Sequence, residues 1–385
     1  MVQRLVLGLL TLLVFVTFLF VLAKVLIPGD FVTQFQFSLS LEEREALREG
    51  LGLTQPIWRQ YLSFVGSLLT GDLGTSYYGN PVSSHIWFDT QATVLMFMTG
   101  MGVAYVAGQW MGRVAAWRSS SRWSNAIAFG SVMTYTVFPV LLAFILMVAF
   151  RKITGWTGFL EMRSLEVVDT DSFWILPATI GGTLAAVTVA SKSRVRWGRA
   201  PIPGLVGLAL VAVGSVGVWS LLGMRSFALD WMYLLSLPIL AIALLSFGEI
   251  TLIVKGAMSD VAHEDFVQTA RAKGLSERMV RDRHAARVSL LPVVSKLMVN
   301  VPFFLAGLVI IETAFIQPLS SGLYIDVPGL SGILFSSLSE RNVPVVVGGL
   351  FAVGLISLVI RVGLDVLLAF LDPRIRYSST ARSSG

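Results

Sequence analysis

One stretch of the chain, residues 265–294, carries a long run of charged residues in an otherwise apolar sequence. Within it, small residues alternate with cations over Ala270, Arg271, Ala272, Lys273 and Gly274. The small residues allow another protein to approach closely, and the two cations can pair with acidic groups at the rim of that protein. An ordinary cation-rich loop between membrane helices is the alternative that composition leaves open. The chemistry predicted here is noncovalent docking.

Ionisable residues inside apolar segments are the second group of candidates, because a charge at membrane depth is costly and often functional. They are Lys24, Glu249, Glu312, Arg361 and Asp365. Arg361 and Asp365 are four residues apart, so they can pair along one helix face. Lys24 is close to a helix end, where its amine can extend to the membrane surface. Glu312 is the candidate pathway or gate residue, and a packed polar contact between helices is its alternative interpretation.

Several kinds of chemistry are missing from the sequence. No lysine follows a glycine, so the chain lacks the Gly-Lys pair of a phosphate-binding loop. The absence of cysteine excludes disulfides, thiol nucleophiles and cysteine-ligated zinc. The three histidines, His85, His263 and His284, do not form the close pairs typical of a metal site. We therefore expect no catalytic, cofactor-binding or metal site in this chain.

The elements that must position these residues are predicted to be membrane helices. Hydrophobic residues make up 55% of the chain and charged residues only 14%, too few for an ordinary soluble surface. A bilayer core needs roughly 20 apolar residues in a helix. Eight segments qualify or come close: 5–27, 92–112, 126–150, 173–190, 204–224, 232–254, 293–316 and 343–370. The predicted fold is all-α, polytopic and integral to the membrane, with an N-terminal transmembrane helix in residues 1–27.

The distribution of Lys and Arg predicts that both termini lie in the cytoplasm. With that orientation, the internal loops carry most of the cations, whether or not segments 173–190 and 204–224 cross the membrane. Residues 28–91 then lie outside and residues 256–291 inside. The formal charge of +6 fits cytoplasmic loops next to anionic lipid, so no nucleic-acid partner is expected.

The external segment, residues 28–91, is predicted to contain two helices. Ser40 and Glu43 have the spacing of a capping box, and Gly50 or Gly52 can end that helix. The apolar face of the second helix is formed by Ile57, Tyr61, Phe64 and Leu68. A small packed domain is the favoured interpretation, and a helix lying on the membrane surface is the alternative.

The internal segment, residues 256–291, is also predicted to contain two helices. One lies around residues 262–273 and the other follows Ser276, with Gly274 in a left-handed turn between them. Pro292 suits the start of the next membrane helix. The last residues, 378–385, are predicted to be a disordered tail.

The internal segment resembles the EAA loop of binding-protein-dependent ABC importer permeases, and it is most similar to the dipeptide/oligopeptide (DppB/OppB) type. The matching residues read EDFVQTARAKGLSERMVRDRHAARVSLLPVV. Five further matches follow in the order of that family: LIPGD at 26–30, LGLTQPIWRQYL at 51–62, GDLGTSY at 71–77, IIETAF at 310–315 and LLAFLDPRIRY at 367–377. Together these matches cover both ends and most of the core of the chain, so the resemblance is specific.

The resemblance implies a permease domain at 92–377 with about six core transmembrane helices. It implies that the chain pairs with a related permease as a heterodimer and binds two ATPase subunits or domains, which hold the ATP and magnesium. The coupling helix that would enter a groove of the ATPase corresponds to Asp265, Gln268, Thr269, Ala270, Arg271, Ala272, Lys273 and Gly274. A solute-binding protein would dock outside, on residues 28–91, and deliver a peptide or similar small solute for import by alternating access.

Three regions depart from the family pattern. Where the broader motif has Glu-Ala-Ala, this chain has Gln268, Thr269 and Ala270. After Glu312 the sequence is QPLSSG instead of the usual Pro-Gly, so the external turn there does not carry over. Residues 173–224 resemble an inserted helical pair, which we expect at the periphery.

Two other functions remain as alternatives at the level of the sequence. An ion-coupled secondary transporter would use Glu312 or Asp365 as the ion carrier and would need no ATPase. A membrane-embedded enzyme would need a cluster of catalytic carboxylates or histidines, which the sequence does not contain. The substrate itself, whether a dipeptide, an oligopeptide, a nickel chelate, a glutathione-like compound or a sugar, is not determined by this chain.

Overall fold

The computed structural model describes residues 2–26, 29–118, 121–154, 174–184, 186, 204–315, 317–318, 324–325 and 329–371. The all-α fold class is confirmed in these residues, which are almost entirely helical. The predicted tail at 378–385 and the middle of the 173–224 region lie outside the described residues.

The α-helices are α1 (Val2–Leu26), α2 (Leu41–Gly50), α3 (Ile57–Leu69), α4 (Val82–Trp117), α5 (Arg122–Thr136), α6 (Pro139–Thr154), α7 (Ile175–Leu184), α8 (Gly204–Leu221), α9 (Arg225–Leu234), α10 (Ser236–Val261), α11 (Asp265–Ala272), α12 (Glu277–Met279), α13 (Ala286–Ala314), α14 (Leu330–Ser339) and α15 (Val343–Leu371). A 3₁₀-helix spans Phe31–Phe35, and a π-helical segment, Val280–Ala285, joins α12 to α13. Strands β1 (Gln317–Pro318) and β2 (Tyr324–Ile325) pair antiparallel, with Gln317 opposite Ile325.

The chain divides into two compact units. The first comprises Met1–Thr93 and Asp326–Val359, and the second comprises Val94–Ile325 and Ile360–Gly385. Helices α4 and α15 each contribute residues to both units.

The first unit has its core between α1, α3 and the start of α15. Its buried residues are Leu12, Val16, Phe20, Val343 and Val347, and the α3 residues packed against them are Tyr61, Phe64 and Leu68. The ring of Phe20 stacks on Phe64 at 5.6 Å between centroids. Ile57, predicted on the same face of α3, is instead 52% exposed. The predicted external packed region therefore shares its core with helix α1.

Local caps define the short elements of the first unit. Ser40 and Glu43 form the predicted capping box at the start of α2, which ends at Gly50. Asp30 caps the 3₁₀-helix by accepting the backbone N–H of Thr33 at 3.0 Å. The guanidinium of Arg48, in the last turn of α2, donates to the same carboxylate at 2.6 Å. This ion pair joins the 3₁₀-helix to α2.

Helix α14 was not anticipated from the sequence, which indicated only an external loop in this region. Its start is held by two side chains of α4: Thr93 accepts the backbone N–H of Leu330 at 2.9 Å, and Asp89 accepts that of Gly329 at 3.2 Å. These bonds satisfy donors that the first turn of a helix leaves unpaired.

The second unit is built around α10, which α4 approaches closely through small residues spaced four apart. They are Gly100, Ala104, Gly108 and Gly112. A Cβ at Gly108 would lie 2.7 Å from the side chain of Ile250. One at Gly112 would lie 2.9 Å from the carbonyl oxygen of Thr251. Small residues at this spacing permit close helix contact in a membrane.

Candidate membrane spans agree only partly with the eight predicted segments. Among the described residues, three helices are long and apolar enough to cross a membrane, and up to five spans result if each bent pair counts as one. The segment predicted at 126–150 is divided into two helices, α5 and α6, which are bent by 103° relative to each other. The ring of Pro139 disfavours a helical conformation in the residue before it, so the helix breaks there.

The helix predicted at 293–316 begins earlier and is bent. It continues back through the π-helical segment to Glu277, so Pro292 lies within α13 and not at its start. A bend of 53° separates Glu277–Val301 from Phe303–Ala314. Pro302 lies at the bend, where its missing N–H interrupts the helical hydrogen bonds.

Helices α7 and α8 occupy the region predicted as an inserted helical pair. A Cβ at Gly182 would lie 2.7 Å from the backbone nitrogen of Ser215, so the two backbones nearly touch. The indole N–H of Trp219 donates to the hydroxyl of Thr179 at 3.1 Å. Since later residues of α7 meet earlier residues of α8, the pair is antiparallel.

Candidate functional site

Helix α11 and the turn after it form the candidate site. Glu264 takes an extended conformation before the helix, with φ −70° and ψ 147°. Asp265 in the first turn and Arg271 in the last turn complement the helix dipole. Gly274 follows with φ +75°, the predicted left-handed conformation, and its N–H donates to the carbonyl of Arg271 at 2.9 Å. Ser276 then caps the next helical stretch.

The inward face of α11 is apolar. Val267 and Ala270 are buried in a cluster with residues from α4, α10 and the helix that follows. Other buried members are Ala116, Val254, Met258, Val261, Val280 and Ala285. Ala270, predicted to admit a partner protein, is only 7% exposed because it packs against this core of its own chain.

The outward face carries the other predicted docking residues. Those exposed are Asp265, Gln268, Thr269, Arg271, Ala272, Lys273 and Gly274. The hydroxyl of Thr269 donates to the carbonyl of Asp265 at 2.9 Å, so it is directed back along the helix. The exposed surface thus combines a carboxylate, an amide, two cations and small residues with the ring of Phe266, which is 38% exposed.

Arg271 has partners within the chain that the sequence did not reveal. Its guanidinium donates to both carboxylate oxygens of Glu277, at 2.9 and 3.2 Å. The same guanidinium lies 5.2 Å from the ring centroid of Trp117, the last residue of α4. The indole N–H of Trp117 donates to Glu277 at 2.7 Å. The charge of Arg271 is thus paired within the chain, and its pairing with the acidic rim of a partner stays a prediction.

The π-helical segment beside α11 carries a second ion pair. Arg281 donates two hydrogen bonds of 2.8 Å to the neighbouring Asp282. Val280 and Ala285 are both fully buried. The wider turn of a π-helix brings residues five apart onto one side, which explains how both reach the core.

Glu312, the candidate gate residue, lies elsewhere in the second unit. It belongs to the last turn of α13 and its side chain is 0% exposed. Glu312 is therefore not part of the surface formed by α11, and its role as a gate stays a prediction.

Glu249, another ionisable candidate, accepts a hydrogen bond from the amide of Asn300, and this bond joins α10 to α13.

No group of three or more metal-ligating side chains occurs in the part of the chain that the structure describes. His263 contacts the carbonyl oxygen of Ser259 through Nδ1 at 2.9 Å, a contact near the end of α10. The residues that sequence reasoning missed are Trp117 and Glu277. The available signal for Glu277 was an acidic residue six positions after Arg271, across a glycine turn.

Comparison with known proteins gives one family match. Residues 104–377 match the family described as binding-protein-dependent transport system inner membrane component. The matched region contains α11, the Gly274 turn, Trp117 and Glu277.

Characterised relatives are similar along most of their length. The dipeptide transport system permease protein DppB of Escherichia coli (strain K12) is 27% identical over 355 residues, which cover 91% of this chain and 91% of the relative. The oligopeptide transport system permease protein AppB of Bacillus subtilis (strain 168) is 26% identical over 357 residues, covering 91% and 90%. The glutathione transport system permease protein GsiC of Escherichia coli O6:H1 is 27% identical over 339 residues, covering 86% and 84%.

Proposed function

The chain belongs to the family of binding-protein-dependent transport system inner membrane components, and from that premise we propose that it is the permease subunit of a peptide importer. A separate solute-binding protein delivers the peptide outside. A related permease completes the pathway, and two ATPase subunits dock inside. The names of the relatives support a peptide or a peptide-like compound such as glutathione as the solute.

The observation that carries this proposal is the exposed helix α11, fixed by its buried face to the membrane helices. Val267 packs into the cluster that contains Ile250 and Met258 of α10 and Ala116 of α4. Because cores are densely packed, a push on α11 displaces these helices as well. ATP-driven closure of the ATPase subunits moves α11 and so switches the pathway between inward and outward access.

Chemistry on this chain is limited to binding and movement. The ATP and magnesium belong to the ATPase subunits. The surface of α11 offers shape and charge to the ATPase, and no covalent step takes place on it. An ion-coupled mechanism through Glu312 gains no support from the family, whose members serve binding-protein-dependent transport.

The test is transport by a reconstituted complex. The chain is co-expressed with a companion permease, ATPase subunits and a solute-binding protein from the same genome, and placed in proteoliposomes. We expect uptake of radiolabelled dialanine that requires ATP and magnesium on the ATPase side and persists with a proton ionophore. Uptake by this chain alone, or uptake that the ionophore abolishes while ATP does not affect it, would overturn the proposal.

Two substitutions of Gly274 link that uptake to the docking surface. Valine is strained at φ +75°, whereas asparagine tolerates this conformation. We expect Gly274→Val to lower uptake about tenfold by distorting the turn, and Gly274→Asn to retain most of it. Equal uptake in both variants, with the ATPase still bound, would contradict the role of the turn.

A further inference from the structure

Three side chains meet at the edge of α11 in an arrangement that the docking role does not require. Glu277 accepts hydrogen bonds from the guanidinium of Arg271 and from the indole of Trp117. The guanidinium also lies over the indole ring, at 5.2 Å from its centroid. Each of the three groups therefore contacts both of the others.

The three residues belong to three separate elements. Trp117 ends α4, Arg271 lies in the last turn of α11, and Glu277 begins α12. A contact between Trp117 and Glu277 spans 160 positions of sequence, so it is tertiary and not a by-product of helix geometry.

We propose that Trp117, Arg271 and Glu277 form a clamp that fixes the orientation of α11 relative to the end of α4, so that α4 moves with α11. This inference rests on the proposed function, because it explains how movement at the ATPase surface reaches one particular membrane helix. Arg271 and Glu277 act here as positioning residues toward their own chain, and the remaining exposed residues of α11 meet the ATPase.

The core beneath α11 holds the inward face of the helix through Val267 and Ala270, which belong to the same buried cluster as Ala116 of α4. The clamp lies at the edge of that contact and ends on a planar indole, so it opposes rotation.

Because the clamp is exposed, we expect it to affect the orientation of α11 more than the folding free energy of the chain. The side chains of Arg271 and Glu277 are 45% and 60% exposed. Exposed ion pairs contribute little to folding free energy. Removing the clamp should therefore leave a folded chain in which α11 samples a wider range of orientations. This range can be measured without a transport assay.

A distance measurement tests the clamp in the purified full-length chain. Because the sequence contains no cysteine, spin labels can be placed uniquely through Arg118→Cys and Lys273→Cys, next to the two ends of the clamp. We expect a single narrow distance distribution in this background and a broader one when Glu277→Gln or Trp117→Phe is added. Glu264→Gln, the same charge change on an exposed residue just before α11, should leave the distribution narrow.

A charge exchange then separates the clamp from docking. Arg271→Glu and Glu277→Arg each replace the ion pair by two like charges, so each should broaden the distance distribution and lower dialanine uptake per ATP hydrolysed by about two- to fivefold. The double variant restores the ion pair in reverse, but an arginine at position 277 cannot accept the indole N–H of Trp117, so it should recover both properties in part. If Arg271 instead served an acidic ATPase surface, the double variant would not recover uptake.

The two proposals fail in different ways. An unchanged distance distribution in Glu277→Gln and Trp117→Phe would overturn the clamp and leave the importer function intact. Absence of ATP-dependent uptake in the unmodified complex would overturn the importer function, whereas the distance result would still show whether the clamp exists.

Discussion

At Gly248, helix α10 approaches the backbone of α5 closely. A Cβ there would overlap the carbonyl oxygen of Ser131 and the hydroxyl of Thr134, and it would lie 2.9 Å from the backbone nitrogen of Tyr135. Because two of these three atoms belong to the backbone, the contact cannot relax by a change of rotamer. Gly256, two turns further along the same helix, has nothing within 4 Å of its position for a Cβ.

The first residue-scale prediction compares alanine at these two positions. Gly248→Ala should lower the free energy of unfolding by about 1–3 kcal/mol, the usual effect of overpacking. Gly256→Ala should leave it unchanged or raise it by up to about 1 kcal/mol, since alanine favours the helix. Thermal unfolding in detergent, followed by size-exclusion chromatography, measures both. Equal stability of the two variants would mean that α5 and α10 are further apart than described.

At the scale of elements, the features that could be predicted from the sequence are those that depend on residues close together in the chain. The capping box of Ser40 and Glu43 and the turn at Gly274 follow from residues within a few positions of each other. Such local rules need no knowledge of tertiary contacts. The class of the fold followed in the same way from the length of its apolar runs.

The features that sequence reasoning missed depend on distant partners. Helix α14 starts where Thr93 and Asp89 of α4 accept its first N–H groups, more than 230 positions away in the sequence. The pairing of Trp117 with Glu277 is equally remote. The break before Pro139 was visible as a proline, but prolines also occur within continuous membrane helices. Only the tertiary contacts of the folded chain show whether a given proline breaks a helix or lies within a continuous one.

The ion pair between Asp30 and Arg48, which joins the 3₁₀-helix to α2, gives an element-scale prediction. Burial raises the pKa of Asp30, but hydrogen bonds from Arg48 and Thr33 outweigh burial and hold this pKa below its ordinary value. A lowered folded pKa means that the contact stabilises the segment above the unfolded pKa of about 3.9 and is lost as the pH falls through the folded value.

Replacing Asp30 by asparagine should reproduce the low-pH state at neutral pH. We expect amide exchange in Phe31–Phe35 to accelerate about five- to tenfold, because asparagine keeps the cap but loses the charge-assisted hydrogen bonds from Arg48. Glu42→Gln, on the exposed surface of α2, is the control and should have little effect. Hydrogen-exchange mass spectrometry measures the rates. Identical exchange in the Asp30 variant and the unmodified chain would show that Arg48 does not hold the 3₁₀-helix.

At the scale of the whole molecule, the proposed function requires one orientation in the membrane. The chain is a multi-pass membrane protein of a family whose transport depends on a binding protein. Helix α11 must then face the cytoplasm to meet an ATPase, and the turn around Asn80 must face outside. The excess of Lys and Arg in the segment containing α11 favours the same orientation.

Cysteine accessibility can test this orientation directly, because the chain has no native cysteine. Thr269→Cys and Asn80→Cys both replace exposed residues, so a membrane-impermeant maleimide can reach either side chain from its own side. We expect Asn80→Cys to react in intact spheroplasts and Thr269→Cys to react only in inverted vesicles or after permeabilisation. The unmodified chain controls for background labelling. Reaction of Thr269→Cys in intact spheroplasts would place α11 outside, where no ATP is available, and would contradict ATP-driven coupling through this helix.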